Sequence, residues 1–165
     1  MNSKRLLTSA VFFATLMLTA IASAADGKAK ADPGAEFAAK WIAAWNSHDA
    51  DKFLPLFTDD AFYEDVAFGE KSKGSAELRK FFASELEGIP DLELKLERAN
   101  LQGGHGTIEW VFSGTDKGVY KTGKKFSVRG VSVIEMRDGK ISRNLDFYDL
   151  ATIMRQVGTL PAEAK

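Results

Sequence analysis

Apolar residues in this chain follow two different periods. Phe37, Trp41, Ala44 and Trp45 fall on one face at helical spacing. "NSHD" breaks that helix, and Asp49 is placed to cap a short second one carrying Phe53, Leu56 and Phe57. Residues 61–66 alternate and read as a strand. "GEKSKGS" then reads as a loop, with Ser75 as the N-cap of a third helix bearing Leu78, Phe81, Phe82, Glu85 and Leu86, closed by "GIPD". From Leu92 the period becomes two: Leu92, Leu94 and Leu96 alternate with charged residues. "TIEWVFSG" is a further strand, "TDKGVYKTGK" a long hairpin loop of mobile composition, and residues 125–136 and 141–148 two more strands joined by "RDGK". Asp149 is positioned to cap a last short helix, "LATIMRQ", closed by Gly158 and Pro161. The predicted order is α-α-β-α-β-β-β-β-α. It implies an α+β fold, a mostly antiparallel sheet with helices on one face.

The two ends are set apart from this domain. "MNSKRLLTSAVFFATLMLTAIASAAD" has Lys4 and Arg5, then an apolar stretch to about Ile21, then Ala22-Ser23-Ala24 in the small-x-small pattern of a cleavage site. Residues 1–24 therefore read as a secretory signal peptide. The stretch is too short, and too broken by Thr8, Ser9, Thr15 and Thr19, for a spanning helix of about 20 apolar residues. Cleavage leaves Ala25 first and no membrane segment after it. Residues 25–34 read as a flexible lead-in, 35–158 as one domain and 159–165 as a tail. An exported, periplasmic or secreted location is expected.

Composition narrows the partners. The chain of 165 residues has no cysteine, which excludes disulfides and a lipidated cysteine. Its formal charge of −1 becomes more negative once Lys4 and Arg5 are removed, so it has no electrostatic footprint for nucleic acid. His48 and His105 both sit in turn compositions and read as surface residues, so no metal site is expected. The lysines of "GEKSK" and "KKF" read as solvated.

One stretch departs from pattern. "YEDVAF" places Asp65 among aromatic and aliphatic residues just before a glycine loop. Either it ends a strand facing water, or it faces a pocket and handles a proton. Three stretches bear on the choice. "WNSHDADKFLPLFTDDAFYEDVAFGEKSKGSAELRKFF" resembles the opening of bacterial ketosteroid isomerases and SnoaL-like polyketide cyclases; "EWVFSGTDKG" and "RDGKISRNLDFYDLATIMRQVG" resemble the SnoaL-like branch. Together they identify residues 35–158 with the nuclear transport factor 2-like superfamily. That resemblance implies a cone-shaped, curved sheet whose helices enclose an apolar pocket, with Asp65 at the isomerase general base. Burial in such a pocket raises a carboxyl pKa and makes it a better acceptor near neutrality. The isomerase tyrosine is replaced by Trp41, and the assisting aspartic acid falls near Ser132. A limonene-epoxide-hydrolase-like set would need an arginine, for which Arg129 and Arg143 are the candidates.

Facing decides between these readings, and the "RDGK" turn admits two registers. A two-residue turn pairs Arg137 with Lys140; a three-residue loop pairs Met136 with Lys140. The longer loop agrees with the resemblance and is expected here. It sets Gly130 opposite Asp146, leaving room for a ligand, and puts Asp146, Asn144, Tyr148 and Ser132 on the pocket face. Arg129 and Arg143 then point outward, and Val131, Val133, Ile141, Leu145 and Phe147 form an apolar outer stripe suited to a homodimer through the sheet. Trp41, Trp45 and Trp110 are open between core packing and pocket lining; Glu109 is expected outside.

Asp65 and Asp146 are thus the candidate catalytic bases, with Trp41, Trp45, Ser132, Asn144 and Tyr148 as ligand contacts. The expected ligand is a small, largely apolar carbonyl compound, with no metal or organic cofactor, since an enolate beside hydrogen-bond donors requires none. Two other readings stand beside this enzyme: a non-catalytic periplasmic binder of a hydrophobic small molecule, and a dimeric interaction module. Fold does not choose among them.

Overall fold

The computed structural model describes residues 32–161. The expected signal peptide, most of the lead-in and the last four residues lie outside them. Helix α1 (Pro33–Asn46) starts inside the segment expected as lead-in. Asp32 accepts the Gly34 N–H at 2.9 Å and Pro33 holds the first helical position, so the start is capped and pre-set. α2 (Ala50–Phe53) is capped by Asp49 as expected, and a short 3₁₀ turn, Leu54–Leu56, leads into β1 (Phe57–Asp65). Then come β2 (Glu70–Lys73), α3 (Gly74–Gly88), β3 (Glu93–Gln102), β4 (His105–Thr115), β5 (Lys125–Arg137), β6 (Lys140–Tyr148) and α4 (Leu150–Val157).

The six strands form one curved, unclosed sheet in the order β2-β1-β6-β5-β4-β3. All neighbours are antiparallel except β1 and β6, which run parallel, so the last strand returns to lie beside the first. The fold is α+β, as expected, with one strand more than the pattern predicts. β2 occupies the segment read as a loop. Its sequence is Glu-Lys-Ser-Lys, and only Ser72 is buried, because this is a sheet edge where charged side chains face water. Ser75 is not the N-cap of α3 either. The helix begins a residue earlier, and the Glu77 carboxylate accepts the Lys73 N–H at 2.7 Å across that turn. The opposite sheet edge is held by Asn46 of α1, whose amide both donates to Leu94 O and accepts from Leu94 N at 2.8 Å.

Core packing gathers where the helices meet the concave face. Trp41 and Trp45 of α1, Phe53 of α2, Phe57 of β1 and Phe81 and Phe82 of α3 are all buried there. Phe53 stacks on Phe82 with ring centroids 4.5 Å apart, and Trp45 touches both. Burying side chains of this size is worth about 1.5–3 kcal/mol each before entropy.

The β5–β6 hairpin corrects the expected register. Arg137 pairs with Lys140 through a two-residue turn in which Asp138 and Gly139 both have positive φ (53° and 76°). That is the geometry a right-handed twist favours. At the next pair Met136 opposes Ile141, but after it Glu135 opposes Arg143, so Ser142 is bulged. The bulge shifts the register by one more residue in the same direction, so the total offset from the expected pairing is two and the facing is kept. Asn144, Asp146 and Tyr148 therefore face the helices as expected, by another route. Asp146 opposes Ser132, however, and Gly130 opposes Tyr148. Ile141 also leaves the proposed outer stripe: it is fully buried.

Candidate active site

The site follows from strand pairing. In the parallel β1–β6 pair, Asp65 lies directly opposite Asp146 and Tyr63 opposite Asn144. Antiparallel pairing then sets Ser132 beside Asp146 and Gly130 beside Tyr148, with Trp110 of β4 beyond Gly130. Alternation keeps all of these on the concave face. The two aspartates, 81 positions apart in sequence, become neighbours because β6 returns to pair with β1.

Asp146 is 8% exposed, and both its oxygens are occupied. Oδ1 accepts from the Ser132 hydroxyl at 2.6 Å and the Asn144 amide at 2.7 Å; Oδ2 accepts from the Tyr63 hydroxyl. Trp110 Nε1 donates in turn to Ser132 Oγ at 2.9 Å, fixing that hydroxyl toward Asp146. Burial nevertheless outweighs the three donors and pushes the Asp146 carboxyl up to about 6, with the Asp65 charge adding to the rise. Asp65 is 6% exposed. Its Oδ2 accepts from the Tyr148 hydroxyl at 2.7 Å and its Oδ1 from the Phe68 N–H at 3.0 Å, in the turn after β1. Here too burial dominates and raises the carboxyl pKa against those bonds. Burial and the neighbouring carboxylates keep the Tyr63 and Tyr148 phenols protonated, so both remain donors.

These groups surround a small inner chamber of about 30 Å³, room for a water or two. Asp65, Asp146, Trp41, Trp45, Tyr148 and Trp110 contribute to its wall, as do Tyr63 and Glu85. It adjoins a vestibule of about 470 Å³, and Glu85, Phe112 and Tyr148 border both spaces. On the vestibule's far side, residues 116–124 form the predicted long loop. The loop is organised around the buried Asp116 carboxylate, which accepts Thr122 N–H, Thr122 O–H and Tyr120 N–H at 2.7, 2.8 and 3.1 Å.

The candidate residues divide into two groups. Asp65, Asp146, Trp41, Trp45 and Tyr148 border the chamber. Ser132 and Asn144 stand behind Asp146, with their donors directed at it, and do not line the cavity. Gly130 does not make room for a ligand: a Cβ there would lie 2.2 Å from the Trp110 ring, so the glycine makes room for that indole. Arg129 and Arg143 point away and pair with Glu97 and Glu135, so no Asp–Arg–Asp set forms among the described residues. His48 and His105 are both exposed.

Two site residues escaped the sequence reading. Tyr63 stands two positions before Asp65, so strand alternation alone assigns it to the same face. Glu85 follows Leu78, Phe81 and Phe82 at helical spacing, a carboxyl on an otherwise apolar stripe. The Glu85 carboxyl is partly buried, and burial, followed by the charges of Asp65, Glu70 and Asp146, pushes it up to about 8.

Comparison with known proteins agrees with this architecture. The sequence profile of the SnoaL-like domain matches residues 38–144. A hypothetical protein of ketosteroid isomerase-like fold from Catenulispora acidiphila DSM 44928, solved in complex with trimethylamine, is 28% identical. It matches with a TM-score of 0.69 over 79% of this chain and 97% of its own. A SnoaL-like polyketide-cyclase candidate from Jannaschia sp. CCS1 is 18% identical, TM-score 0.68, over 78% and 94% of the two chains. TerC, co-crystallised with polyporic acid, is 18% identical, TM-score 0.64, over 77% and 99%. The last two share the fold.

Proposed function

This chain belongs to the SnoaL-like domain family, in the nuclear transport factor 2-like superfamily, and we propose that it removes a proton beside the carbonyl of a small, largely apolar compound, as a cyclase- or isomerase-type catalyst. The observation that carries this reading is the convergence of Asp65 and Asp146 on one buried chamber opening to a vestibule of substrate size. Asp65 takes the proton. Its carboxylate accepts from one side chain, Tyr148, and from the turn backbone at Phe68 and Ala67, whereas three side chains lock Asp146 in place. Asp146 is anchored by Tyr63, Ser132 and Asn144, and the Asp65 charge adds to the burial that raises its pKa. Placing such a base within reach is typically worth about 100- to 10,000-fold in rate.

The reaction is proposed to take place after export, which the leader pattern supports, in a homodimer formed through the sheet. Phe147, 40% exposed, and the neighbouring Val131, Val133 and Leu145 on the convex face support that association. A second reading, binding without chemistry, is favoured by one specific feature. The chamber's lining has three carboxyls and several aromatic faces but no lysine, arginine or histidine, a setting suited to an organic ammonium. The trimethylamine in the Catenulispora neighbour fits that alternative. Purifying the mature protein from its host, denaturing it and identifying released small molecules by mass spectrometry separates the two. A neutral ketone or quinone supports catalysis; an aliphatic or aromatic amine supports the binder and counts against the base.

A further inference from the structure

We propose that Glu85 is the hydrogen-bond donor to the ligand's carbonyl oxygen, held across the chamber from Asp65. The inference rests on the general-base reading above and supplies what that reading lacks. An enolate needs donors at its oxygen, yet the hydroxyls of Tyr63, Tyr148 and Ser132 are all directed at aspartates. Glu85 is placed differently. It projects from α3, the layer facing the sheet, and borders both chamber and vestibule, so a ligand entering one from the other passes it. No hydrogen bond or ion pair from another described residue engages its carboxyl, so its capacity is open.

The groups facing Glu85 decide its protonation. Asp65 on β1, Glu70 on β2 and Asp146 on β6 are all acidic, and together with burial they hold the proton on Glu85 up to about pH 8. At neutrality Glu85 is a neutral acid in a site where Asp65 serves as the base, the division of labour that separates two carboxyl roles in one site. Two further donors point to a ligand acceptor in the same space. Trp41 Nε1 and Trp45 Nε1 are buried without a partner, and both indoles border the chamber.

The step balances. The C–H bond beside the carbonyl breaks, its proton passes to Asp65, and its electron pair forms a carbon–carbon double bond. The carbonyl π pair moves onto oxygen, which accepts the Glu85 O–H bond. Return of the proton from Asp65 to the same or a conjugated carbon restores the carbonyl. The ligand class is therefore a ketone with a compact carbonyl end for the chamber and an apolar body for the vestibule.

The test uses 2-tetralone as the probe, with binding followed by calorimetry at about pH 6.5 and about pH 9.5 on the mature wild type, Glu85→Gln, Glu85→Ala and Asp65→Asn. Ionising Glu85 removes its donor, so wild-type affinity should fall at least about tenfold at the higher pH. Glu85→Gln keeps a donor that does not titrate and should bind equally at both values. Glu85→Ala should bind weakly at both, although it removes the same charge. Ketone binding that is independent of pH, or equal in Glu85→Ala and wild type at about pH 6.5, would overturn the assignment and leave the Asp65 base standing. Failure of every variant to bind the ketone, Asp65→Asn included, would overturn both.

Discussion

Asp146→Asn offers a quantitative test of how the site is built. In the folded protein Asp146 ionises at about 6, against the ordinary 3.8. At about 1.4 kcal/mol per tenfold change in acidity, complete ionisation of Asp146 costs the native state about 3 kcal/mol relative to the unfolded chain. The sign follows from proton binding. Between the two pKa values the native state keeps a proton that the unfolded state has released, so stability from this group is lost as pH rises from about 3.8 to about 6. Above that it is level. Asparagine cannot ionise and keeps the shape. Its oxygen still accepts from Ser132 and Asn144, and the Tyr63 hydroxyl can rotate to accept from its amide. The unfolding free energy of Asp146→Asn minus that of wild type should therefore rise by about 3 kcal/mol between about pH 3.5 and about pH 7.5, whatever its offset at the acid end. Carboxyls that do not feel the Asp146 charge, lowered Asp60 and Asp91 among them, cancel in the difference. Urea denaturation followed by circular dichroism measures it, with unchanged m-values as the check on two-state behaviour. A difference flat with pH, or one that falls, would mean that the three donors outweigh burial and that Asp146 is a structural anchor held ionised.

Further expectations concern the surroundings. Gly130→Ala should destabilise by about 1–3 kcal/mol and shift tryptophan fluorescence, because the added methyl meets the Trp110 ring; unchanged melting and emission would contradict the packing. Val133→Glu, at the centre of the convex apolar face, should yield monomers in sedimentation where the wild type is dimeric. A wild type already monomeric at micromolar concentration would remove that proposal. Protein recovered from its host should begin at Ala25 or Asp26 in intact-mass analysis, and a chain starting at Met1 would refute export.

How much of this site can be read from the chain depends on which contacts are local. Asp65 facing inward follows from its position in an alternating strand, and Tyr63 follows with it. Glu85 is legible as a carboxyl at a core position of an amphipathic helix. Asp49 and Asp149 announce their helices because capping is local chemistry. The β2 edge strand is hidden because its charged residues are those a loop would carry. The Ser142 bulge is hidden because turn residues specify how a hairpin starts and not where one strand slips. Two offsets of one residue in the same direction, at the turn and at the bulge, therefore add to a shift of two, which gave Asp146 the expected facing with the wrong cross-strand neighbour. The purpose of Gly130 is invisible for the same reason: Trp110 becomes its neighbour only through the β4–β5 register. Likewise, the pairing of Asp65 with Asp146 depends on the long return of β6 to β1.

The most direct measurement of the central claim is deuterium entering the carbon beside a carbonyl. Cyclic and aromatic ketones incubated in heavy water near neutrality with the mature protein, and followed by proton NMR, should exchange faster than in buffer. Asp65→Asn, folded by circular dichroism, should lose about 100-fold or more of that acceleration, with Asp146→Asn retaining more than Asp65→Asn. Undiminished exchange by Asp65→Asn, or none above buffer by the wild type, would contradict a general base at Asp65.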